Sequence, residues 1–229
     1  MIIDDKAAML RLTAYPEFAL RHDEFVSSYG RSGLPGLTVQ LRPVEQGTVL
    51  NLDDSALLAR LSTGAPSQNA YWASFRPGTK PRPTMHGVSS LPTWKDPQWA
   101  FEAHRDGHFI AGVWEFPSID GTGDTGSRAL PAFFGKMFED FFAVAAAIVS
   151  PINPTLAFNA TVTISGTDVL NFAAKSDFGD QWVKGSGPVE RRLIQLPVYQ
   201  TQLGAPSWHS AAADLARAMC GAYGFSYRV

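Results

Sequence analysis

Two histidines are the first residues whose types and spacing could do chemistry. His104 and His108 stand four positions apart, and on a helix this spacing would place two metal ligands on one face. The Asp106-Gly107 pair between them instead favours a two-residue hairpin turn, because both central positions of that turn need positive φ. His104 would then lie opposite Phe109 and His108 opposite Arg105, on opposite faces of the hairpin. The sequence therefore predicts no metal site here.

The other residues of catalytic type form no recognisable arrangement. No serine stands in a nucleophile elbow, and no P-loop is present. Cys220 lies on an apolar helical pattern, where a thiol behaves as a small hydrophobe. We therefore predict no catalytic residue, no cofactor and no metal. Catalytic groups need only converge in space, so a hydrolase or transferase assembled from His86, His104, His209 and nearby acids is the alternative.

A basic and aromatic segment before the hairpin is the best candidate for a binding surface. Aromatic rings and guanidinium groups together can bind a nucleotide, a single nucleic-acid strand or a protein partner. The other interpretation is an aromatic core strand that leads into a basic loop stiffened by proline. The candidate ligand- or partner-binding residues are Trp72, Arg76, Lys80, Arg82 and His86.

A glycine-rich segment at 121–126 matches the G-x-G-x-x-G pattern of dinucleotide sites. Five residues, 127–131, separate it from the start of the next predicted helix, so the helix N-terminus would not meet a pyrophosphate. Asp120 and Asp124 would also repel a phosphate. We interpret this segment as a surface loop.

The composition excludes several classes of protein. Apolar residues make up 45% and aromatic residues 12% of the 229 positions, which argues against disorder. The net charge of −2 provides no broad basic surface for nucleic acid. Nucleic-acid binding would therefore depend on a local group of basic residues, namely Arg76, Lys80, Arg82, Arg191 and Arg192. With one cysteine and an acidic N-terminus, we expect a soluble cytoplasmic protein without membrane contact.

The order of the predicted elements indicates an α+β fold. Strands are predicted at 37–42, 70–76, 99–116, 156–164, 169–173 and 191–199, with helices between runs of strands rather than after each strand. The longest helix is predicted at 131–149, because its apolar residues recur at helical spacing. We expect a mainly antiparallel mixed sheet packed by this helix and a C-terminal helix, in one domain over 37–229. Residues 1–36 are predicted as a helix and loop segment in which Pro16 interrupts a short helix.

The hairpin is the most constrained of these elements. In the two-residue register, Trp99 would lie opposite Trp114, and both rings would anchor the buried face of the sheet. A strand at 169–173 is predicted to pair antiparallel with the strand at 156–164, after a turn at 165–168. Each of these pairings follows from local alternation and from turn residues alone.

Several motifs occur in an order that resembles a known family. They are Pro81-Arg82-Pro83-Thr84 with Gly87, the Arg105-Asp106-Gly107 hairpin, Leu130 before a long aromatic helix, an alternating apolar strand, and a Leu215-Ala216-Arg217 helix before Gly224. This order is similar to the C-terminal region of bacterial Schlafen-AlbA-type proteins, which are associated with DNA or ATP binding. The family's nucleic-acid and ATP features belong to an N-terminal domain, so the resemblance transfers no functional residue. It implies an accessory module of a longer protein.

The function expected from these observations is a non-enzymatic sensing or interaction module. The reason is a substantial apolar core without assembled catalytic groups. Its expected partner is another protein or an adjacent domain, with a nucleotide or single-stranded nucleic acid as further ligands. A hydrolase or transferase and a nucleic-acid-binding protein are the alternatives.

Overall fold

The structure is a computed structural model that describes residues 16–30, 35–45, 47, 50–63, 81–91, 99–114, 127–129, 131–166, 170–175, 182–185, 193–195, 199–202 and 207–223. Its helices are α1 Pro16–Tyr29, α2 Ser55–Thr63, α3 Pro131–Val149 and α4 Ser207–Ala222. Its strands are β1 Gly36–Pro43, β2 Arg82–Pro83, β3 Gly87–Ser90, β4 Trp99–His104, β5 Phe109–Val113, β6 Ser127–Ala129, β7 Ala157–Ser165, β8 Leu170–Lys175, β9 Trp182–Gly185, β10 Leu193–Gln195 and β11 Tyr199–Gln202. The predicted strand at 70–76 and the loop at 121–126 lie outside the described residues.

An antiparallel sheet of eight described strands forms the centre of the fold. Its order is β10-β7-β1-β5-β4-β3-β2, and β11 also pairs with β7. A smaller sheet has the order β6-β8-β9, in which β6 and β8 are parallel. The α+β fold, with a mainly antiparallel mixed sheet, a long helix and a C-terminal helix, is therefore confirmed. No helix in the described part of the chain is long and apolar enough to cross a membrane.

One face of the large sheet packs against α3 and α4. The alternating apolar residues of β1 and β7 point to this side, and the apolar stripe of α3 meets them. The long helix begins at Pro131 and ends at Val149, as the sequence predicts. The residues that form this core include Leu37, Val39, Leu41, Met137, Phe138, Phe141, Ala145, Ile148, Val162, Ile164, Leu215 and Met219.

The opposite face of the large sheet is polar and is nevertheless buried. Thr38 and Gln40 on β1 are only 4% and 7% exposed, because α1 lies across this face. Helix α1 begins at Pro16, since the first turn of a helix needs no N–H from its first residue; the short helix expected before Pro16 lies outside the described residues. The expected segment boundary at residue 36 stays a prediction.

The hairpin is confirmed, but its predicted turn and register are wrong. Trp99 pairs with Val113, and the ladder continues until His104 N donates to His108 O. The loop therefore has three residues, 105–107, and closes with a left-handed Gly107 at φ 78°. Such a loop is the next most common hairpin connection after two-residue turns. The shift by one residue puts Trp99 in the core with α3 and Trp114 on the face under α1.

The start of helix α2 shows an ordinary side-chain cap, whereas two predicted strands after β7 differ from the structure. The short helix α2 begins where Asp54 Oδ1 accepts the Ala56 N–H, as expected for an N-terminal cap. The predicted return of 169–173 onto the preceding strand is wrong, because β8 pairs with β6 and β9 in the smaller sheet. The strand predicted at 191–199 is two short strands, β10 and β11, at opposite ends of β7.

Candidate functional site

The hairpin brings two buried histidines into direct contact. His104 and His108 are 1% and 0% exposed, and their Nδ1 atoms lie 3.1 Å apart. The prediction that they point to opposite faces is wrong, because the three-residue loop makes them cross-strand partners. The rings meet edge to face at 4.8 Å between centroids.

The outer nitrogens of this pair are held by polar groups of the same sheet face. His104 Nε2 donates to Glu102 Oε2 at 2.8 Å, and Tyr29 donates its hydroxyl to Glu102 Oε1 at 2.8 Å. His108 Nε2 lies 3.2 Å from Gln40 Oε1. The result is a continuous chain of hydrogen bonds from Gln40 on β1 to Tyr29 on α1. We call these five residues the histidine network.

Helix α1 closes the network through polar contacts. Arg21 forms an ion pair of 2.6 Å with Asp106 in the hairpin loop. His22 Nε2 lies 2.8 Å from Thr38 Oγ1. Phe18 packs edge to face against His108 with 5.1 Å between ring centroids. The apolar part of this contact is a small cluster in which Phe25 packs against Ala100, Ile110 and Trp114.

The contact between α1 and the large sheet extends to the turn between β2 and β3. His86 Nε2 is 2.8 Å from Glu24 Oε2, and the side chain of His86 is 28% exposed. The rings of His86 and His104 are 5.4 Å apart between centroids. Four of the five histidines of the chain therefore gather between α1 and the sheet.

Burial lowers the proton affinity of two histidines in this region. Desolvation holds the pKa of His108 well below its usual value, and the neighbouring His104, Arg21 and Arg42 add to this effect. Burial also lowers the pKa of His22, although Asp23 opposes the shift. For the Tyr29 hydroxyl, burial raises the pKa to about 12. Burial therefore favours the neutral forms of His108, His22 and Tyr29.

The contact between the two Nδ1 atoms has room for a single hydrogen. An ionised Glu102 only accepts hydrogen bonds, so His104 Nε2 carries an N–H and His104 Nδ1 accepts from His108. One further proton fits on His108 Nε2, because the amide of Gln40 can present an acceptor or a donor. A second further proton would set two N–H groups against each other at 3.1 Å. The closed network therefore holds at most one proton beyond the neutral pair.

A small cleft opens beside the network. It has a volume of about 110 Å³ and lies between α1 and the β2–β3 turn, with Glu24, Tyr29, His86 and Glu102 on its walls. Ser28 and Thr84 provide hydroxyl groups on the same walls. His104 and His108 do not line this cleft.

The site does not have the composition of a metal centre. Among the described residues no group of three or more His, Cys, Asp or Glu side chains is placed to hold a metal ion. Structural zinc sites use four ligands and catalytic sites three, whereas only two nitrogens face each other here. Arg21 and Arg42 also raise the local positive potential at His108, which disfavours a cation.

The structure describes two of the five predicted binding residues. Arg82 is exposed on the short edge strand β2, and His86 lines the cleft. Trp72, Arg76 and Lys80 lie outside the described residues. His209 stacks on Trp208 in α4, a helix of the opposite face.

Sequence reasoning missed Gln40, Glu102, His22 and Glu24 as parts of one site. Gln40 and Glu102 each occupy the polar positions of an alternating strand, which is the usual pattern of an exposed face. Only the three-residue register of the hairpin would have indicated that these positions share a face with both histidines. Helix α1, which covers them, mixes apolar residues at helical spacing, such as Phe25 and Val26, with charged residues.

A scan against protein-family models, a search of curated proteins and a search of solved structures each found no match to this chain. The resemblance to the Schlafen-AlbA-type C-terminal region therefore stays a prediction.

Proposed function

We propose that this chain is a non-enzymatic sensing or interaction module, an accessory part of a bacterial cytoplasmic protein, in which α1 docks reversibly on the polar face of the sheet. The observation that carries the proposal is the closure of the histidine network. His104 and His108, the residues best suited by type to catalysis, are 1% and 0% exposed. A substrate could therefore not reach them.

The size of the cleft supports the same proposal. Its volume of about 110 Å³ is below the roughly 300 Å³ at which pockets for small-molecule ligands begin. A partner would therefore contact the rim of the cleft rather than fill it. The rim includes His86 and the exposed Met85, which is 86% exposed, and Arg82 lies beside it on β2.

The contact between α1 and the sheet suits reversible docking. Two of its polar contacts, Arg21–Asp106 and Glu24–His86, join side chains that are at least partly exposed. Exposed ion pairs contribute little net stability, typically about 0–1 kcal/mol. Elements held by such contacts open more easily than the core. The proposed partner is another protein or an adjoining domain, and a nucleotide or single-stranded nucleic acid is the second ligand class.

The test measures binding of a captured partner to matched variants. Proteins retained from a bacterial lysate are purified and titrated calorimetrically against the wild type, His86→Ala, Arg82→Ala and the control Arg217→Ala. Arg217 is likewise an exposed arginine, and it pairs with Asp214 on α4. We expect binding at least tenfold weaker for His86→Ala and Arg82→Ala and unchanged for Arg217→Ala. Equal binding by all four proteins would refute the proposed rim.

One observation favours a second function, a hydrolase or transferase. His86 with its Glu24 partner shares the cleft with the hydroxyls of Ser28 and Thr84, and a base oriented by a carboxylate beside a hydroxyl is the arrangement of nucleophilic catalysis. Turnover of an ester, phosphodiester or glycoside that is lost in both Ser28→Ala and His86→Ala would establish this function and overturn the non-enzymatic one.

A further inference from the structure

The histidine network differs from an inert core and from a simple docking surface in the number of protons that it can bind. Its two central imidazoles are side by side in the closed structure and can take up at most one proton beyond the neutral pair, since their Nδ1 atoms are 3.1 Å apart. Both histidines belong to the hairpin, so when α1 leaves, their rings face water and can rotate apart, and each then binds a proton with a pKa near 6.5. An open state therefore binds more protons than the closed state.

We propose that the histidine network is a proton-sensitive latch for α1: acid opens the contact between α1 and the polar face of the sheet. This inference rests on the proposed sensing function and names the proton as a signal that the module reads. The device consists of the pair itself, of Glu102 and Gln40 at its two outer nitrogens, and of the α1 side chains that close it.

The charged and titratable groups around the pair come from every element packed against it. Within the described residues they are Arg21, His22, Glu24 and Tyr29 from α1, Arg42 from β1, Glu102 from β4, Asp106 from the hairpin loop, and His86 from the β2–β3 turn. Glu102 is bonded to the outer nitrogen of His104 and does not contact His108. Arg21, Arg42 and His86 all oppose a charge on His108.

The two histidines with lowered pKa values determine how the stability of the closed state changes with pH. The pKa of His108 is lowered by burial, and so is that of His22. A histidine whose pKa is lower in the closed state leaves the closed state fully stable above about pH 6.5. The closed state loses stability as the pH falls below that value, because the open state then binds the additional proton.

One contact acts in the opposite sense. A protonated His86 would strengthen its ion pair with Glu24, which helps to hold α1 on the sheet. The side chains of His86 and Glu24 are 28% and 55% exposed, and water weakens an ion pair at such positions. His108 is 0% exposed, so the cost of its charge is not weakened in this way. Acid opening therefore prevails.

The test is amide hydrogen exchange of the full chain, with metal chelator present, one pH unit above and one below the ordinary histidine pKa. After correction for intrinsic chemical exchange, we expect the opening constant of α1 to rise about tenfold per pH unit below about 6.5 for each proton taken up. The amides of α3 serve as the internal reference. A ratio of α1 to α3 protection that is flat across this range would overturn the proposal.

Two variants separate the latch from a general effect of acid. In His108→Gln, the amide can still bond to Gln40 and His104 but does not titrate, so the pH dependence of α1 exchange should decrease. His209→Gln removes an exposed histidine of α4 and should leave the dependence unchanged. Equal slopes in both variants would overturn the proposal. If His108→Gln does not fold, His22→Gln replaces it with the same expectation.

Two further results complete the test. Long-range proton–nitrogen spectra of the wild type should show a single hydrogen between the Nδ1 atoms of His104 and His108 above pH 6.5. If equimolar zinc chloride raises the melting temperature of the wild type but not of His108→Gln, the pair is a metal site and the latch is refuted. Partner binding that depends on His86 but is independent of pH would refute the latch and leave the proposed sensing function intact.

Discussion

The indole of Trp114 lies directly over Gly112 in the aromatic cluster beneath α1. A Cβ at Gly112 would stand 2.7 Å from Cη2 of Trp114 and 2.9 Å from Cε1 of Phe25. Both rings are buried, so neither can move aside without disturbing the packing of α1. We expect Gly112→Ala to lower the free energy of unfolding by about 1–3 kcal/mol, the usual cost of overpacking, as measured by urea denaturation.

Gly221 provides the matched control for this substitution. It lies in α4, and a Cβ there would meet no atom within 4 Å. Alanine at this position should raise the free energy of unfolding by about 0.5–1 kcal/mol, because glycine is the weaker helix former. Equal effects of the two substitutions would contradict the packing of Trp114 on Gly112.

The second prediction concerns the effect of substitutions at Gly107, in the hairpin loop, on stability. Its φ of 78° lies in the left-handed region, which β-branched residues avoid and asparagine tolerates. Gly107→Val should therefore lower the free energy of unfolding by about 1–3 kcal/mol, and Gly107→Asn by clearly less. Thermal unfolding of the two variants measures the difference. If valine were tolerated as well as asparagine, the loop would not have this conformation.

The hairpin also shows how far the sequence could predict the site. The Asp106-Gly107 pair indicates a turn, but the same pair can end a three-residue loop in which only glycine has positive φ. A register shift of one residue moves every side chain of a strand to the other face. The fold class was unaffected by this difference, whereas the contact of His104 with His108 depended on it completely.

The burial of the polar face could not be predicted for a different reason. Thr38 and Gln40 alternate with apolar residues, and such alternation is typical of a strand with one face in water. The helix that covers them adds Phe25 and Val26 to the aromatic cluster, but it reaches the polar groups through Arg21, His22 and Tyr29. The contact is specified by polar groups that are distant in sequence, which periodicity does not detect.

The third prediction concerns the rate at which the single cysteine is chemically labelled. Cys220 is buried, and burial raises the pKa of its thiol to about 12. The thiolate is the reactive form, so an aromatic disulfide reagent should label the folded protein on the order of a thousandfold more slowly than the urea-unfolded protein, given an ordinary thiol pKa of about 8.5. Similar labelling rates in both states would show that the C-terminal helix is open.

His22 makes a prediction about global stability. It is bonded to Thr38 with its side chain 17% exposed, and desolvation lowers its pKa. The free energy of unfolding should therefore be highest above about pH 6.5 and decrease below it, by at most about 1.4 kcal/mol per pH unit for each proton. His22→Gln should reduce this slope in urea denaturation at a series of pH values. A steeper slope in the variant would contradict the assignment.

The last prediction concerns whether α1 opens independently of the core. Phe25 is 2% exposed, and its ring lies 5.0 Å from that of Tyr29 and 5.7 Å from that of Trp114. Phe25→Ala should cost about 3–5 kcal/mol in the stability of this contact. We expect the amides of α1 to lose most of their protection from exchange at neutral pH, while those of α3 keep theirs, because separate units of a fold open with separate free energies. A parallel loss in both helices would show that α1 opens only with the whole fold, and reversible docking could not then serve as a signal.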